Sequence, residues 1–216
     1  YLSLRANQKL EALTRVLEVE PFDAMIIFVR TKSTTVELAE KLEARGYAAA
    51  ALNGDLSQAL RERTVDRLKK GLTDIVVATD VAARGLDVER ITHVVNYDIP
   101  YATEAYVHRI GRTGRAGRSG TAILFITPRE QRFLKSIERA TRSTPQPMAL
   151  PSGADISAQR VRQFQEAIAE IMGNEDLEPV RALLSGMAEE KQIDLLDIAS
   201  ALAWRAQSER PLFDRL

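Results

Sequence analysis

The segment HRIGRTGRAGR at residues 108–118 contains four arginines separated by three glycines. Arg109, Arg112 and Arg115 recur at every third residue, so a helix or a tight turn projects them to one side. A guanidinium group is permanently charged and has forked donors, which suits several phosphate oxygens at once. A solvated basic loop would also be rich in arginine, but it does not require the close backbone turns that the glycines allow. The segment therefore indicates a phosphate-binding site.

A second candidate phosphate site is the segment ATDVAARGLD at residues 78–87. Thr79 and Asp80 lie at the carboxyl end of a predicted buried strand, and the next residues predict a short helix that ends at Gly85. A hydroxyl group beside the free N–H groups of a helix start is suited to binding phosphate. A plain helix cap has the same residues, and Asp87 fits either a turn or an acceptor for sugar hydroxyls. The spacing does not separate these alternatives.

Hydroxyl, amide and guanidinium groups follow two further predicted strands. Thr31 follows the first strand in FVRTK, and LNGDLSQALRER places Gly54, Gln58 and Arg61 after the second. Each feature alone is typical of ordinary loops and caps. Because parallel strands end side by side, Thr31, Gly54 and Thr79 are predicted to line one edge of a sheet. Such a row, with few aromatic residues, suits a sugar-phosphate backbone and predicts salt-sensitive, sequence-tolerant binding.

The elements that position these groups alternate between strands and helices. AMIIFV, YAAAAL, DIVVAT, THVVNY and TAILFI predict buried strands at residues 24–29, 47–52, 74–79, 92–97 and 121–126. STTVELAEKLEAR and SQALRERTVDRLKKG have the apolar spacing of amphipathic helices, with Gly46 and Gly71 at their predicted ends. An opening helix, ANQKLEALTRVLEVE, packs on this sheet. The order predicts a doubly wound α/β fold with ligand sites at the carboxyl ends of parallel strands.

The chain divides by composition into two parts. STPQPMALPSGAD contains three prolines and a glycine and predicts a linker. We assign residues 1–143 to the α/β domain, 144–156 to the linker and 157–216 to a small all-α module of three helices. Residues 108–142 contain nine Lys or Arg and two Glu, whereas residues 155–216 contain seven basic and twelve acidic residues. The two parts are therefore expected to have different partners.

Whole-chain composition excludes several kinds of site. Its 30 basic and 30 acidic residues cancel, so affinity for nucleic acid depends on where the charges lie. With no cysteine and two histidines, the sequence argues against a disulfide or a metal site. The apolar runs are far shorter than the roughly 20 residues of a membrane span. The sequence has no phosphate loop of the G-x-x-x-x-G-K-[ST] type, so its arginines are half of a site completed by another domain.

The segments IIFVRT, NGD, QALR, ATDVAARGLD and HRIGRTGR, in this order and spacing, resemble the second RecA-like domain of the DEAD-box RNA helicases. The resemblance implies a RecA-like doubly wound parallel sheet with helices on both faces. It also implies a cytoplasmic enzyme that uses ATP with Mg²⁺ to unwind or remodel RNA duplexes. The first domain, with the phosphate loop and the DEAD box, is not in the chain. We therefore expect the chain to be part of a longer protein and to be inactive alone.

The resemblance implies roles for the residues that face ATP. Arg112 and Arg115 contact the γ-phosphate of ATP held by the first domain, and Arg115 is the arginine finger. Gly85 and Asp87 contact the ribose.

By the same resemblance, His108 and Arg109 belong to the cofactor-binding residues and link the two domains and the loops of this one. RNA and the first RecA-like domain are the implied partners, with little sequence specificity for RNA. The residues implied to contact RNA phosphates are Thr31, Gly54, Asp55, Gln58, Arg61 and Thr79.

Residues 151–216 resemble, less specifically, the region that follows the helicase core in bacterial cold-shock helicases of the CsdA/DeaD type, where it forms a dimerisation module. About 60 residues in three short helices have difficulty enclosing a sufficient core alone. They are expected to pack on the helicase domain or on a second copy, and we predict a homodimer through residues 157–216. An internal helical core is the alternative. The acidic surface of this module would repel RNA.

Two other functions fit parts of this pattern. A noncatalytic adaptor would use a helicase-like domain to bind RNA or protein, but decay of that kind is expected to remove arginines from residues 108–118, and all are present. A DNA-directed helicase is the second alternative, because arginines that bind phosphate do not distinguish the sugars.

Overall fold

The computed structural model describes residues 1–115, 117–208 and 211–213. The chain forms two compact units, Tyr1–Leu150 and Pro151–Leu216. Ala116 of the segment at 108–118 and residues 209–210 and 214–216 of the predicted helical module lie outside the described residues. Within the described ranges, no helix combines the length and the apolar character needed to cross a membrane.

A parallel sheet forms the centre of the first unit. Its described strands are β1 (Leu2–Ser3), β2 (Ala24–Phe28), β3 (Ala49–Leu52), β4 (Ile75–Ala78), β5 (Ile91–Asn96) and β6 (Thr121–Ile126). They lie in the order β1-β6-β5-β2-β4-β3. Strands β2 to β6 match the predicted strands to within two residues at each end. The sequence did not predict β1, because two residues are too few for a recognisable period.

Helices connect the strands, as the alternating pattern predicts. They are α1 (Lys9–Val19), α2 (Lys32–Glu43), α3 (Gln58–Lys69), α4 (Asp80–Ala83) and α5 (Thr103–Ile110), and α6 (Arg132–Thr141) follows the last strand. Short 3₁₀ turns precede α1 and α6. After α2 and α3 the chain turns at Gly46 and Gly71, with φ of +87° and +72°. Glycine adopts these left-handed angles without steric cost, which explains why both helices end there.

Apolar side chains cover both faces of the sheet. In β2, Met25 and Ile27 join a buried cluster that includes Leu13 of α1. The alternate residues of the same strand, such as Ile26, join a second cluster that includes Leu68 of α3. Successive side chains of a strand point to opposite faces, so the sheet is buried on both sides. The predicted doubly wound fold is thereby confirmed.

The second unit is helical. Its described helices are α7 (Gly153–Asn174), α8 (Glu178–Lys191) and α9 (Leu195–Ala206). The start of α7 corrects the linker predicted at 144–156, since its last four residues are helical. The reason is a capping box, in which Ser152 Oγ accepts from the Asp155 N–H at 3.2 Å and Asp155 Oδ2 accepts from the Ser152 N–H at 2.8 Å.

His93 is a buried core histidine on β5, with 5% of its surface exposed. Its Nδ1 lies 2.9 Å from Thr92 Oγ1, and its ring meets the Phe22 ring edge-on at 6.2 Å between centroids. Its Nε2 lies 3.7 Å from Glu20 Oε2. Burial lowers the pKa of His93 below its ordinary value, and this effect exceeds the opposite effects of Glu20 and Asp23.

This lowered pKa predicts a loss of stability on acidification. As the pH falls through about 6.5, the unfolded chain binds a proton at His93 before the folded chain does, so the free energy of unfolding decreases. We expect the urea concentration at the unfolding midpoint to decrease as the pH is lowered from about 7.5 to about 5.5. His93→Gln should make the slope of midpoint against pH smaller. His108→Gln is the matched control, because His108 is exposed. Equal slopes for wild type and His93→Gln would contradict the expectation.

Candidate functional site

The carboxyl ends of β3, β4, β2 and β5 lie side by side at one edge of the sheet. The register places Leu52 beside Ala78, Ala78 beside Phe28, and Phe28 beside Asn96. The residues that follow these positions are therefore neighbours, as the sequence predicted. We call the three predicted phosphate-contact positions that follow β2, β3 and β4 the strand-end row. The strand-end row consists of Thr31, Gly54 and Thr79.

Thr31 is the N-cap of α2. Its Oγ1 accepts the backbone N–H of Thr34 at 3.2 Å and lies 2.7 Å from Thr34 Oγ1. The Ser33 hydroxyl lies 3.1 Å from the same oxygen. Thr31 and Ser33 are exposed, so the first turn of this twelve-residue helix presents hydroxyl groups and the positive end of the helix dipole to solvent. An anion such as a phosphate fits this position.

The turn after β3 is held by Asn53. Its Oδ1 accepts the Asp55 N–H at 3.0 Å, and its Nδ2 donates to Thr35 Oγ1 at 2.8 Å. Asp55 forms an ion pair with Lys32, and a Cβ at Gly54 would lie 3.6 Å from Lys32 Cε. A carboxylate repels phosphate, so Lys32 is the better candidate for a phosphate contact at this turn. The sequence analysis did not assign Lys32 as a candidate phosphate contact. Its position beside Thr31 in the segment FVRTK was the available signal.

Arg61 connects α3 to the turn after α4. Its Nη2 donates to the Arg84 carbonyl oxygen at 2.8 Å, and the residue is half-buried. Gln58, one turn earlier, donates from Nε2 to Glu62 Oε1 at 2.8 Å and is exposed. Arg61 therefore lies beside the loop that follows Thr79, whereas the amide of Gln58 is engaged along its own helix.

Arg109 is the buried centre of this edge, with 3% of its surface exposed. Its Nε and Nη2 donate to the two carboxylate oxygens of Asp80 at 2.6 and 2.7 Å. Its Nη1 donates to the Asp98 carbonyl oxygen at 2.6 Å and to Asn96 Oδ1 at 3.2 Å, and its guanidinium lies 5.0 Å from the Phe28 ring centroid. From the sequence, Arg109 was predicted to bind the cofactor and also to link loops of this domain. These contacts favour the linking role, because every nitrogen of the group already donates within the domain.

Arg112 and Arg115 follow the end of α5 and lie at the surface. Arg112 donates from Nη1 to the Leu86 carbonyl oxygen at 2.8 Å and from Nε to the His108 carbonyl oxygen at 3.2 Å. Arg115 forms an ion pair with Asp87. For both arginines, Nη2 donates to no acceptor among the described residues. The structure thus brings Arg112, Arg115 and Asp87 together and leaves donors available for a ligand.

Partial burial makes the charged form of Arg112 less favourable. It lowers the pKa of Arg112, and the positive charge of Arg115 lowers that pKa further, while Asp87 raises it. The guanidinium remains charged at neutral pH, because arginine titrates far above it. A bound anion would relieve both unfavourable effects, so this pair of arginines suits phosphate.

Glycines shape the loops that carry these arginines. Gly85 has φ of +76°, which turns the chain so that the next carbonyl group, of Leu86, reaches Arg112. At Gly120 a Cβ would lie only 2.6 Å from the Gly114 backbone nitrogen. Gly120 therefore allows two parts of the loop to touch. Sequence patterns did not identify it, because the contact joins residues six positions apart across an irregular loop.

A pocket of about 520 Å³ lies between α4 and α5. Its lining includes Val81, Arg84, His108 and Arg112, and His108 is exposed. Val81 is 77% exposed at the rim of this pocket. Among the described residues, no group of three or more His, Asp or Glu side chains is arranged to hold a metal ion.

Comparison with known proteins gives the family. A model of the "Helicase conserved C-terminal domain" matches residues 8–117. The solved structure of the DEAD-box protein SrmB from Escherichia coli, bound to regulator of ribonuclease activity A, is 35% identical with a TM-score of 0.65. That match covers 69% of this chain and 88% of the chain in that structure. The chain belongs to the DEAD-box RNA helicase family. The fold class and the family resemblance predicted from the sequence are confirmed.

Further relatives extend over both units of this DEAD-box chain. The ATP-dependent RNA helicase DeaD of Mycobacterium tuberculosis is 58% identical over 93% of the chain, which spans 36% of that relative. A solved structure of Saccharomyces cerevisiae Dbp5 bound to RNA and ADP BeF3 is 31% identical and has a TM-score of 0.65. The match covers 76% of this chain and 44% of the chain in that structure. A model of the "RNA helicase DeaD dimerization domain" matches residues 151–215. The chain is thus the C-terminal part of a DEAD-box helicase, and a noncatalytic adaptor is not favoured.

The buried contacts of Arg109 predict a structural cost on substitution. Arg109→Lys keeps the charge but loses the forked donors that bind Asp80, Asn96 and Asp98 together, so we expect a loss of about 1–3 kcal/mol in the free energy of unfolding. Urea denaturation followed by circular dichroism measures it. Arg118→Lys is the matched control, because Arg118 is exposed, and it should change stability by less than about 0.5 kcal/mol. Similar values for both variants would refute the anchoring role.

Proposed function

We propose that the full-length protein hydrolyses ATP when RNA is bound and uses the cycle to unwind or remodel RNA duplexes, acting in the cytoplasm. The observation that carries this proposal is the grouping of Arg112, Arg115 and Asp87 beside the strand-end row. Arg109 ties the helix that precedes these arginines to Asp80, which directly follows Thr79, on the fold of a DEAD-box helicase. The chain spans about a third of its curated relatives, so the activity belongs to the longer protein.

The residues present fit a triphosphate held by another domain. Arg112 and Arg115 would hold the γ-phosphate, and Gly85 and Asp87 would contact the ribose. His108, exposed in the pocket between α4 and α5, would face the first RecA-like domain, with Val81 as an apolar neighbour. When bound, ATP with Mg²⁺ supplies the phosphoanhydride bond that water cleaves.

The arginines would act on the charge that develops during phosphoryl transfer. Because they approach the phosphate from a separate domain, they contribute only when that domain closes. Closure and hydrolysis are thereby coupled, and reopening would release the RNA. Arg115 would offer its Nη2 to the phosphate first and would then exchange Asp87 for the phosphate as the cleft closes.

Arg115→Ala in the full-length protein tests this role. We expect RNA-stimulated ATP turnover to fall by about 10³-fold or more, because an arginine finger typically contributes 10³ to 10⁵. RNA affinity should change little, since Arg115 lies outside the strand-end row. Steady-state kinetics with saturating RNA give kcat directly.

Arg118→Ala is the matched control, because it removes an exposed arginine from the same segment. It should keep turnover within about twofold of wild type. An undiminished kcat for Arg115→Ala would rule out the arginine-finger role. Repeating the assay with single-stranded DNA separates an RNA-directed enzyme from a DNA-directed one.

We propose that RNA lies along the strand-end row with its phosphates toward the protein. Hydroxyl groups at Thr31, the open backbone at Gly54 and the guanidinium of Arg61 support backbone contacts over base contacts. Lys32 adds a charge that the sequence patterns did not identify. Gln58, Thr79 and Asp55 complete the set implied by the family resemblance, although the carboxylate of Asp55 already pairs with Lys32.

We also propose that the second unit, which contains the predicted module at residues 157–216, forms a homodimer. The second unit leaves large apolar side chains in solvent: Leu183 is 70% exposed, Leu196 is 72% exposed and Trp204 is 66% exposed. Exposed apolar side chains on each of two helices are typical of an interface between proteins. The match to a dimerisation-domain model supports a second copy as the partner.

Sedimentation equilibrium tests the dimer. We expect the 216-residue chain to be dimeric at tens of micromolar and Leu183→Glu to be monomeric, because a buried carboxylate opposes association. Val36→Glu is the control, since Val36 is also exposed but lies on α2 of the first unit. A monomeric wild-type chain at these concentrations would refute the homodimer.

A further inference from the structure

Helix α6 presents a row of basic side chains that the predicted RNA contacts do not include. The residues are spaced by three or four positions along the 3₁₀ turn and the helix, so the row follows one face. All five are exposed. We call this set the α6 basic row. The α6 basic row consists of Arg129, Arg132, Lys135, Arg139 and Arg142.

Packing fixes the direction in which α6 faces. Ile137 is 3% exposed and belongs to a buried cluster with Tyr106 of α5, against which Phe133 and Leu134 pack. The apolar face is therefore held against the domain. The opposite face, with the α6 basic row, points to solvent.

The charges of the α6 basic row are not neutralised within the described residues, where none of the five forms an ion pair. The two nearby carboxylates keep their charge, so the segment 129–142 has five positive and two negative side chains. Glu130 accepts from Thr127 N–H and Oγ1 at 2.8 and 2.9 Å, and Glu138 accepts from Thr144 Oγ1 at 2.5 Å. A free row of this kind attracts a polyanion.

The α6 basic row begins beside the strand-end row. Glu130, in the turn that precedes α6, has its Oε1 4.0 Å from Arg30 Nη2, and Arg30 directly precedes Thr31. In the strand order, β5 and β6 lie beyond β2, on the side away from β4 and β3. A chain of phosphates that passes β3, β4 and β2 in turn would next reach the start of α6.

The acidic residue between the two rows does not interrupt this path. Asp98, at the end of β5, accepts from Lys9 Nζ at 2.9 Å and from the Arg30 N–H at 3.0 Å. Its negative charge is thus compensated by a buried lysine. Basic groups then follow along the length of α6, which is about 15 Å for ten residues.

We propose that the α6 basic row binds the backbone phosphates of the RNA segment that extends past the strand-end row. This inference rests on the proposed RNA binding and adds a second stretch of contacts to it. Four of the five residues are arginines, which bind phosphate oxygens through forked donors, and the face has no exposed aromatic side chain to stack on bases. The contact is therefore made to phosphates and depends on RNA length.

The experiment compares two double variants of the full-length protein, each lacking two positive charges. Arg132→Gln with Arg139→Gln removes the centre of the α6 basic row. Lys41→Gln with Arg45→Gln is the matched control, because both residues are exposed near the C-terminal end of α2. Fluorescence anisotropy measures affinity for single-stranded RNAs of about 6 and about 16 nucleotides over a range of salt concentrations. Circular dichroism verifies that the variants fold.

We expect the α6 variant to bind the longer RNA about tenfold more weakly at low salt, with a salt slope smaller by about 1.4, and the shorter RNA as wild type does. The control should bind both RNAs as wild type does. If the α6 variant binds the longer RNA as tightly as the control, the inference is wrong. If its sedimentation changes while its RNA affinity does not, the row binds an acidic protein surface instead.

Arg61→Gln separates this inference from the proposed RNA binding at the strand-end row. Arg61→Gln should weaken binding of both RNAs, because Arg61 lies within the path that a short RNA occupies. If Arg61→Gln loses RNA affinity and the α6 variant does not, RNA binding by the α6 basic row is refuted and binding at the strand-end row stands. If only the α6 variant loses affinity, RNA binding at the strand-end row is refuted and binding by the α6 basic row is supported. A wild-type protein that binds neither RNA would overturn both.

Discussion

The arrangement of the site depends on the burial of one charged group, the guanidinium of Arg109. A buried charge is stable only when its donors are satisfied, and here Asp80, Asn96 and Asp98 accept from it. These partners follow β4 or lie at the end of β5, whereas Arg109 is on α5. The contacts therefore fix the end of α5 against the ends of two strands. Because Arg112 and Arg115 follow within two turns, their positions depend on the same anchor.

Periodicity in the segment at 108–118 did not predict where each arginine lies, although the family resemblance implied a linking role for Arg109. A period of three placed Arg109, Arg112 and Arg115 on one side, yet α5 ends at Ile110, and the chain continues as an irregular loop. Arg109, still in the helix, points into the domain, while the other two lie at the surface. Whether a charged residue is buried depends on acceptors far away in the chain, and no local pattern contains that information.

Other features were missed for related reasons. Strand β1 exists because it pairs with β6, more than a hundred residues away. The contact between Gly120 and Gly114 depends on the path of a loop, and the importance of Lys32 depends on its approach to the turn after β3. In contrast, the start of α7 was visible in the sequence as the capping pair Ser152 and Asp155, but the nearby prolines indicated a linker more strongly. Local periodicity thus predicted the elements, and long-range contacts decided the details of the site.

The ion pair between Arg115 and Asp87 reduces the entropic cost of fixing Arg115 on a ligand. A free arginine side chain loses about 2 kcal/mol of conformational entropy when it is fixed on a ligand. Arg115 is held by Asp87 and by the Gly111 carbonyl oxygen at 2.9 Å, so much of that ordering is complete before a nucleotide arrives. In the proposed function, the domain would close with a preorganised guanidinium that exchanges one anionic partner for another. The same exchange would release Asp87, whose carboxylate would then accept hydroxyl groups.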